Sequence, residues 1–321
     1  MPSYSGVWNL TAVMQAVGAG NWTNPPTPIG LIIGGSGLYS DINSIIIPTT
    51  GNATDFGSLA ASRAGAATFG SATTGFIAGN ASGSNNNFFT QMTFSSTGTT
   101  SYFGDTFTSS IQTGPTGASD NTRGIVAGGY SAGTLNVIQY ITMSTAGNAQ
   151  DFGDLTVARD ILSGSAWNSP TKCFFTAGQN SANDTVNVID QITTQSTGNA
   201  TDFGDCYIAV HEPGACSNAT TGIVAGGKNA ANTRLNVIQY ASLSSSGNTT
   251  DFGDLTVIAG NRPAGMSSST RAVFAGGYGE AAALNVIQYV TIATTGNATD
   301  FGDLTVASYN NQGCSNSHGG L

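Results

Sequence analysis

The chain has 321 residues, 17 acidic and 8 basic side chains and a formal net charge of −9, so a nucleic-acid backbone would meet repulsion and release few counterions. Glycine supplies 44 residues without falling at every third place, which excludes a collagen helix. Only 8 % of residues are charged and mean hydropathy is zero, which excludes ordinary disorder and leaves many short strands joined by small polar turns.

The first 28 residues read differently from the rest. Trp8, Leu10, Val13, Met14 and Val17 fall on one side of a short helix capped by Asn9; Trp22 follows, and Asn24-Pro25-Pro26 forms a stiff linker. Trp8, Leu10, Val13, Met14 and Trp22 are therefore candidate interface anchors, because large aromatics dominate such contacts. Packing in cis against the remainder of the chain is the competing expectation. Met1 is not followed by a basic region and apolar core, and no run of eighteen apolar residues occurs, so neither signal-peptide export nor membrane insertion is expected.

From residue 29 the chain repeats itself. An apolar run closed by small residues recurs at Leu31–Gly35, Gly75–Asn80, Gly124–Gly129, Phe174–Gln179, Gly222–Gly227 and Ala272–Gly277. The text NVIQY follows at Asn136–Tyr140, Asn236–Tyr240 and Asn285–Tyr289, with the variant NVIDQ at Asn187–Gln191. A third marker, GNATDFG or a variant, carries Phe56, Phe103, Phe152, Phe203, Phe252 and Phe301, about 49 residues apart. The count is six units.

Each unit resolves into four short strands. In the third, Gly124–Ala127 is an apolar strand and Val137–Met143 alternates in the half-buried manner. Ala146-Gly147-Asn148 turns, since Gly and Asn tolerate left-handed backbone; Phe152–Ala158 is a further strand, and Arg159–Trp167 leads back inward. Such a sheet cannot bury both faces alone, so neighbours must stack, and closing the stack into a ring protects its edges. A solenoidal β-helix, the rival arrangement, repeats at shorter intervals.

The first unit has no first strand before Ile29, whereas Ser308–Leu321 holds a first strand with no second after it. Gly313-Cys314-Ser315 there matches Ala215-Cys216-Ser217. The expected fold is an all-β, six-bladed β-propeller over residues 29–321, four antiparallel strands per blade, with residues 1–28 as an appendage. Gly313, Cys314 and Ser315 are expected to complete the first blade and close the ring. Tyr140, Phe152, Phe203, Tyr240, Phe252, Tyr289 and Phe301 are expected to pack between blades.

The order of apolar run and glycines, V-x-x-Y, an aromatic with Leu three residues on, and a small-residue return containing Arg resembles the kelch repeat over residues 29–321. Tyr140, Tyr240 and Tyr289 match its third-strand Tyr, while Phe152, Phe252 and Phe301 stand where Trp is expected. Arg63, Arg159 and Arg262 match its Arg before the innermost strand; Val210 marks a unit lacking it. The GNATDFGDLTVA and NVIQY texture, with the opening SGVWNLTAVMQAVGAGNW, more specifically resembles repeat proteins of tailed bacteriophages, including marine ones. This resemblance implies a virion protein of tail, fibre or capsid surface, assembled in the host cytoplasm. Its partners would be other virion proteins, through the N-terminal segment, and a host-surface glycan or protein; an oligomer is compatible with this.

Catalytic signals are weak. The DFG triplets recur in register with the strands, unlike the single triplet of a kinase. Asp154, Asp205, Asp254 and Asp303 are expected to bond turn amides rather than calcium, which needs six to eight converging oxygens. His211 and His318 are the two histidines and show no metal spacing; Cys173, Cys206, Cys216 and Cys314 read as small buried fillers without disulfides. No Ser/His/Asp set is evident, and with Glu212 and Glu280 as the two glutamates a paired-carboxylate mechanism would rely on Asp. The expectation is a non-enzymatic structural or partner-binding module without cofactor or metal; the alternative is a glycan-active enzyme on the same scaffold. Recognition is expected in the loops joining second and third strands, Ala81–Asn87, Ser131–Thr134, Ser181–Thr185, Asn229–Arg234 and Glu280–Ala283.

Overall fold

The computed structural model describes residues 26–36, 40–79, 87–107, 113–160 and 165–321. Trp8, Leu10, Val13, Met14 and Trp22 lie outside the described residues, as do residues 81–86 of the loop over 81–87. The described chain forms six antiparallel sheets, each a blade of a β-propeller.

Blade 2 shows the plan from axis to rim: Ala67–Gly70, Thr74–Ala78, Phe88–Thr93 and Ser101–Asp105. Blade 3 follows with Thr116–Ser119, Arg123–Ala127, Val137–Thr142 and Gln150–Asp154, and blade 4 with Ala166–Asn168, Lys172–Thr176, Val188–Thr193 and Thr201–Asp205. Blade 5 holds Gly214–Ser217, Thr221–Ala225, Val237–Ser242 and Thr250–Asp254; blade 6 holds Ala264–Ser267, Arg271–Ala275, Leu284–Thr291 and Thr299–Ser308. Blade 1 is composite: Gln312–Ser315 is its inner strand, beside Ile29–Ile33, Asp41–Ile46 and Thr54–Ser58. Gly313 stands opposite Ile32 and Cys314 opposite Leu31, so the last strand closes the first blade as the repeat register requires. The inner strands touch one another in a closed circuit around the axis.

The apolar side chains gather between blades. Phe152 joins Ile125 and Ile138 of blade 3 to Cys173, Phe175 and Ile192 of blade 4. Phe203 and Phe252 occupy the next two interfaces, Phe301 bridges blade 6 to Ile45 and Ile47 of blade 1, and Phe56 and Phe103 fill the remaining two. Tyr140, Tyr240 and Tyr289 flank these clusters, half-buried, each edge-on to its own blade's phenylalanine at 5.3–5.9 Å. Two-sided stacking also corrects the half-buried reading of the third strand. Gln139, Gln239 and Gln288 are each 1 % exposed, beside a bulge that follows Ile138, Ile238 and Ile287. Their amide oxygens accept the backbone N–H of Phe107, Ile208 and Thr256 from the preceding blade. A buried polar group is tolerable when partnered in this way.

The Gly-Asn turn works across blades rather than within one. The side-chain oxygens of Asn52, Asn148, Asn199, Asn248 and Asn297 accept the amides of Asp303, Asp105, Asp154, Asp205 and Asp254 at 2.9–3.1 Å. None of these asparagines has left-handed backbone, so side-chain acceptance is what the Asn provides. The aspartates do bond turn amides, and they do so through their backbone carbonyls: Ala200 N–H, for instance, donates to the Asp154 carbonyl at 2.8 Å. The outer strand ends at Asp154, short of Ala158, because Leu155 N–H turns to Asn136 and Thr156 bonds to Asp190 of the next blade. At the junction of blades 1 and 2, Gly98-Thr99 pairs in parallel with Gly57-Ser58 instead.

The close approach explains the glycine of each DFG. Gly153 has φ +146°, and a Cβ there would lie 2.4 Å from the Gly198 carbonyl oxygen. Gly153→Ala is expected to cost about 2–3 kcal/mol through a strained dihedral and a displaced turn. A urea midpoint equal to wild type would contradict it.

Candidate functional site

Inner strands run towards one end of the ring and second strands return, which sorts the connections onto two faces. The turns between inner and second strands, and between third and outer strands, share one face, here the turn face. The loops between second and third strands and the crossings from outer to inner strands share the other, the loop face. Thr27 and Asn316, beside the two ends of the described chain, lie on the turn face, joined by the Asn316 amide donating to the Thr27 carbonyl at 3.1 Å.

Along the channel the inner strands are mostly Gly, Ala, Ser and Thr, and small hydroxyls stitch blade to blade. Ser119, Ser217, Ser267 and Ser315 donate to the carbonyls of Gly70, Asn168, Ser217 and Ser267 at 2.7–2.8 Å. About 40 Å³ remains open between these strands, room for a few waters. The turn-face end is stopped by residues 317–320: Gly319 N–H donates to the Ser217 carbonyl, and Ser317 Oγ to that of Ser267. His318, 7 % exposed, donates from Nε2 to the Gly70 carbonyl at 2.8 Å and accepts Gly320 N–H on Nδ1 at 3.1 Å.

This geometry uses the neutral imidazole completely, since a proton on Nδ1 would oppose the Gly320 N–H. Burial pushes the His318 pKa down to about 4 from 6.5. The unfolded chain then binds the extra proton first, so this contribution to stability is present above pH 6.5 and lost as pH falls towards 4. His318→Gln is expected to flatten the stability–pH curve over that window by on the order of 3 kcal/mol. Parallel curves for wild type and variant would sink this.

The loop face carries the irregular chemistry. After the paired-glycine corners, and after Ala177-Gly178 in blade 4, one residue bridges the crossing from the preceding blade: Tyr130 with Thr113, Gln179 with Asp160, Lys228 with His211, Tyr278 with Gly260, and Ser36 with Tyr309. Lys228 Nζ lies 2.6 Å from Glu212 Oε2, and Arg262 Nη2 lies 3.6 Å from Glu212 Oε1. His211 is buried beside them, its Nδ1 3.0 Å from Thr185 Oγ1, and burial pushes its pKa down. Tyr278 and Tyr309 meet edge-to-face at 5.1 Å. The loops between second and third strands of blades 4 and 5 are locally braced, for Asn180 accepts the amides of Ala182 and Asp184, and Asn229 those of Ala231 and Thr233.

Backbone bonding also reassigns the arginines. The carbonyls of Arg63, Arg159, Val210, Ala259 and Ser308 all accept the amide of the second corner glycine, Gly35, Gly129, Gly178, Gly227 and Gly277 in turn, so these are the equivalent positions. Arg262 is not among them; it sits three residues beyond Ala259, where φ is +61°. Local spacing missed this, along with the gathering of Glu212, Lys228 and Arg262. The available signal was the alignment of residue 212 and residue 262 with Gly65 and Gly114, each two residues before an inner strand. No metal-holding group of three or more His, Cys, Asp or Glu occurs among the described residues. No family model matches the chain, and no curated protein matches it.

Proposed function

We propose that this chain is a non-enzymatic structural and partner-binding module of a phage virion, fixed to its particle by the turn face and presenting the loop face. The opposition of the two faces supports the reading: Thr27 and Asn316 are joined on the turn face, and the irregular loops with the Glu212–Lys228–Arg262 cluster occupy the other. An N-terminal segment attached at Thr27 would then reach a neighbouring virion protein without covering the loops. The kelch-like and phage-like texture of the repeat agrees with that role. So does a channel lined by small residues and stopped by His318, which offers little volume for a substrate. Electron microscopy of intact particles, with an antibody fragment against the loop face, is expected to find that face outward. Absence of the protein from particles, together with hydrolysis of a glycan by the purified chain, would overturn the assignment.

A further inference from the structure

We infer that the loop-face rim formed by Glu212, Arg262 and Asn310 binds the hydroxyl groups of a pyranose sugar. The inference deepens the proposed presentation of this face and rests on it. Two residues before an inner strand, the backbone is left-handed in blade after blade, at φ 58–74°. Blades 2 and 3 place Gly65 and Gly114 there, where the conformation is unstrained. The crossings into blades 5, 6 and 1 instead place Glu212, Arg262 and Asn310 at the same point. Glu and Arg rarely adopt this backbone, and such strain gathers at binding sites.

The positions are contiguous. Arg262 N–H donates to the Glu212 carbonyl at 2.9 Å, and Asn311 N–H to the Arg262 carbonyl at 3.2 Å. A second, independent observation concerns satisfaction. The side-chain oxygens of Asn310, Asn311 and Gln312, and Arg262 Nε, are buried without a hydrogen-bond partner, although Asn311 is only 1 % exposed and Gln312 0 %. Buried polar groups are normally partnered, so these atoms call for a ligand or water.

Their chemistry chooses among ligands. A divalent cation would suit the amide oxygens but meets Arg262 and Lys228. An anion would suit those two cations, but both are already paired with Glu212, and most of the free atoms are acceptors. A sugar hydroxyl donates and accepts, and so serves both kinds of atom. Tyr309, half-buried next to Asn310, adds flat apolar surface against which a pyranose ring can lie, while Tyr278 carries the Arg234 guanidinium over its ring at 4.7 Å and meets Tyr309 edge-to-face.

The test is saturation-transfer NMR on the full chain with glucose, galactose, mannose and N-acetylglucosamine as probes. Transfer to at least one is expected, with binding weakened tenfold or more in both Arg262→Gly and Asn310→Gly. Both variants should melt at or above the wild-type temperature, because glycine fits the left-handed backbone; a contact needed only for folding would lower it instead. Transfer to none of the four sugars, or undiminished transfer in both variants, overturns the site while leaving the virion assignment standing. Undiminished transfer accompanied by sugar protection of the turn around Asn218–Thr221 in hydrogen exchange overturns the presentation of the loop face as well.

Discussion

Removal of residues 312–321 is expected to abolish the native ring. The deletion strips the inner strand from blade 1, leaving Ile29–Ile33 an open edge whose Leu31, Ile32 and Ile33 are fully buried in the intact protein. It takes Cys314 from the cluster between blades 1 and 2, and Ser315 from the hydroxyl chain to Ser267. It also breaks contacts between residues far apart in sequence, among them Thr68 Oγ1 donating to the Gly313 carbonyl and His318 Nε2 to that of Gly70. Domains carry about 5–15 kcal/mol of net stability, so losing a strand, a plug and two blade contacts together is expected to exceed it. Loss of the cooperative melt and of near-ultraviolet dichroism would register this, with aggregation through the exposed edge. Gly313→Val tests the same closure more gently. A Cβ at Gly313 would stand 2.3 Å from the Gly265 carbonyl oxygen, backbone that cannot yield without moving the neighbouring inner strand. A loss of about 3 kcal/mol is expected, near 5 °C in melting temperature. A deletion variant that melts like the wild type would refute ring closure by this strand.

That closure was legible because a repeat makes absence visible: Ile29 lacks a strand that the other units have, and Gly313-Cys314-Ser315 has no other place to go. The phenylalanines were legible for a related reason, since a large apolar residue in constant register must meet the same surroundings in every blade. What escaped was what one unit does for the next. Asn199 looked like a turn residue because the amide it accepts, that of Asp154, lies 45 positions away in sequence. The burial of Gln139 escaped because period-two alternation describes a sheet with one covered face, and a propeller blade has two. Glu212 and Arg262 escaped because sequence spacing does not register φ, so an Arg near the expected place was taken for the one that belongs there. His318 has no counterpart in the other units, and nothing in the repeat could announce it.

The pair Arg159 and Asp190 turns the repeat into a quantitative test. Both side chains are 0 % exposed, with Nη2 and Oδ2 3.0 Å apart. Burial pushes the Arg159 pKa down and Asp190 pulls it back up. Asp190 also accepts Thr156 Oγ1 at 2.6 Å, and Arg159 Nη2 donates to the Phe175 carbonyl at 3.1 Å. At the next two junctions the equivalent pairs are Val210 with Gln239 and Ala259 with Gln288, neutral and fully accommodated in the same frame. The chain therefore carries its own isostere. Arg159→Val alone strands a buried carboxylate, and Asp190→Gln alone strands a buried guanidinium; each is expected to cost about 3–5 kcal/mol. Arg159→Val with Asp190→Gln rebuilds the Val210–Gln239 arrangement and is expected to lie within about 1 kcal/mol of wild type, since replacing a buried ion pair whole is commonly near neutral. Urea denaturation of the four proteins in the cycle should then give a coupling of several kcal/mol. Additive single losses would mean that the two charges do not compensate one another, and that the blade 3–4 interface is held by the Phe152 and Phe175 cluster alone.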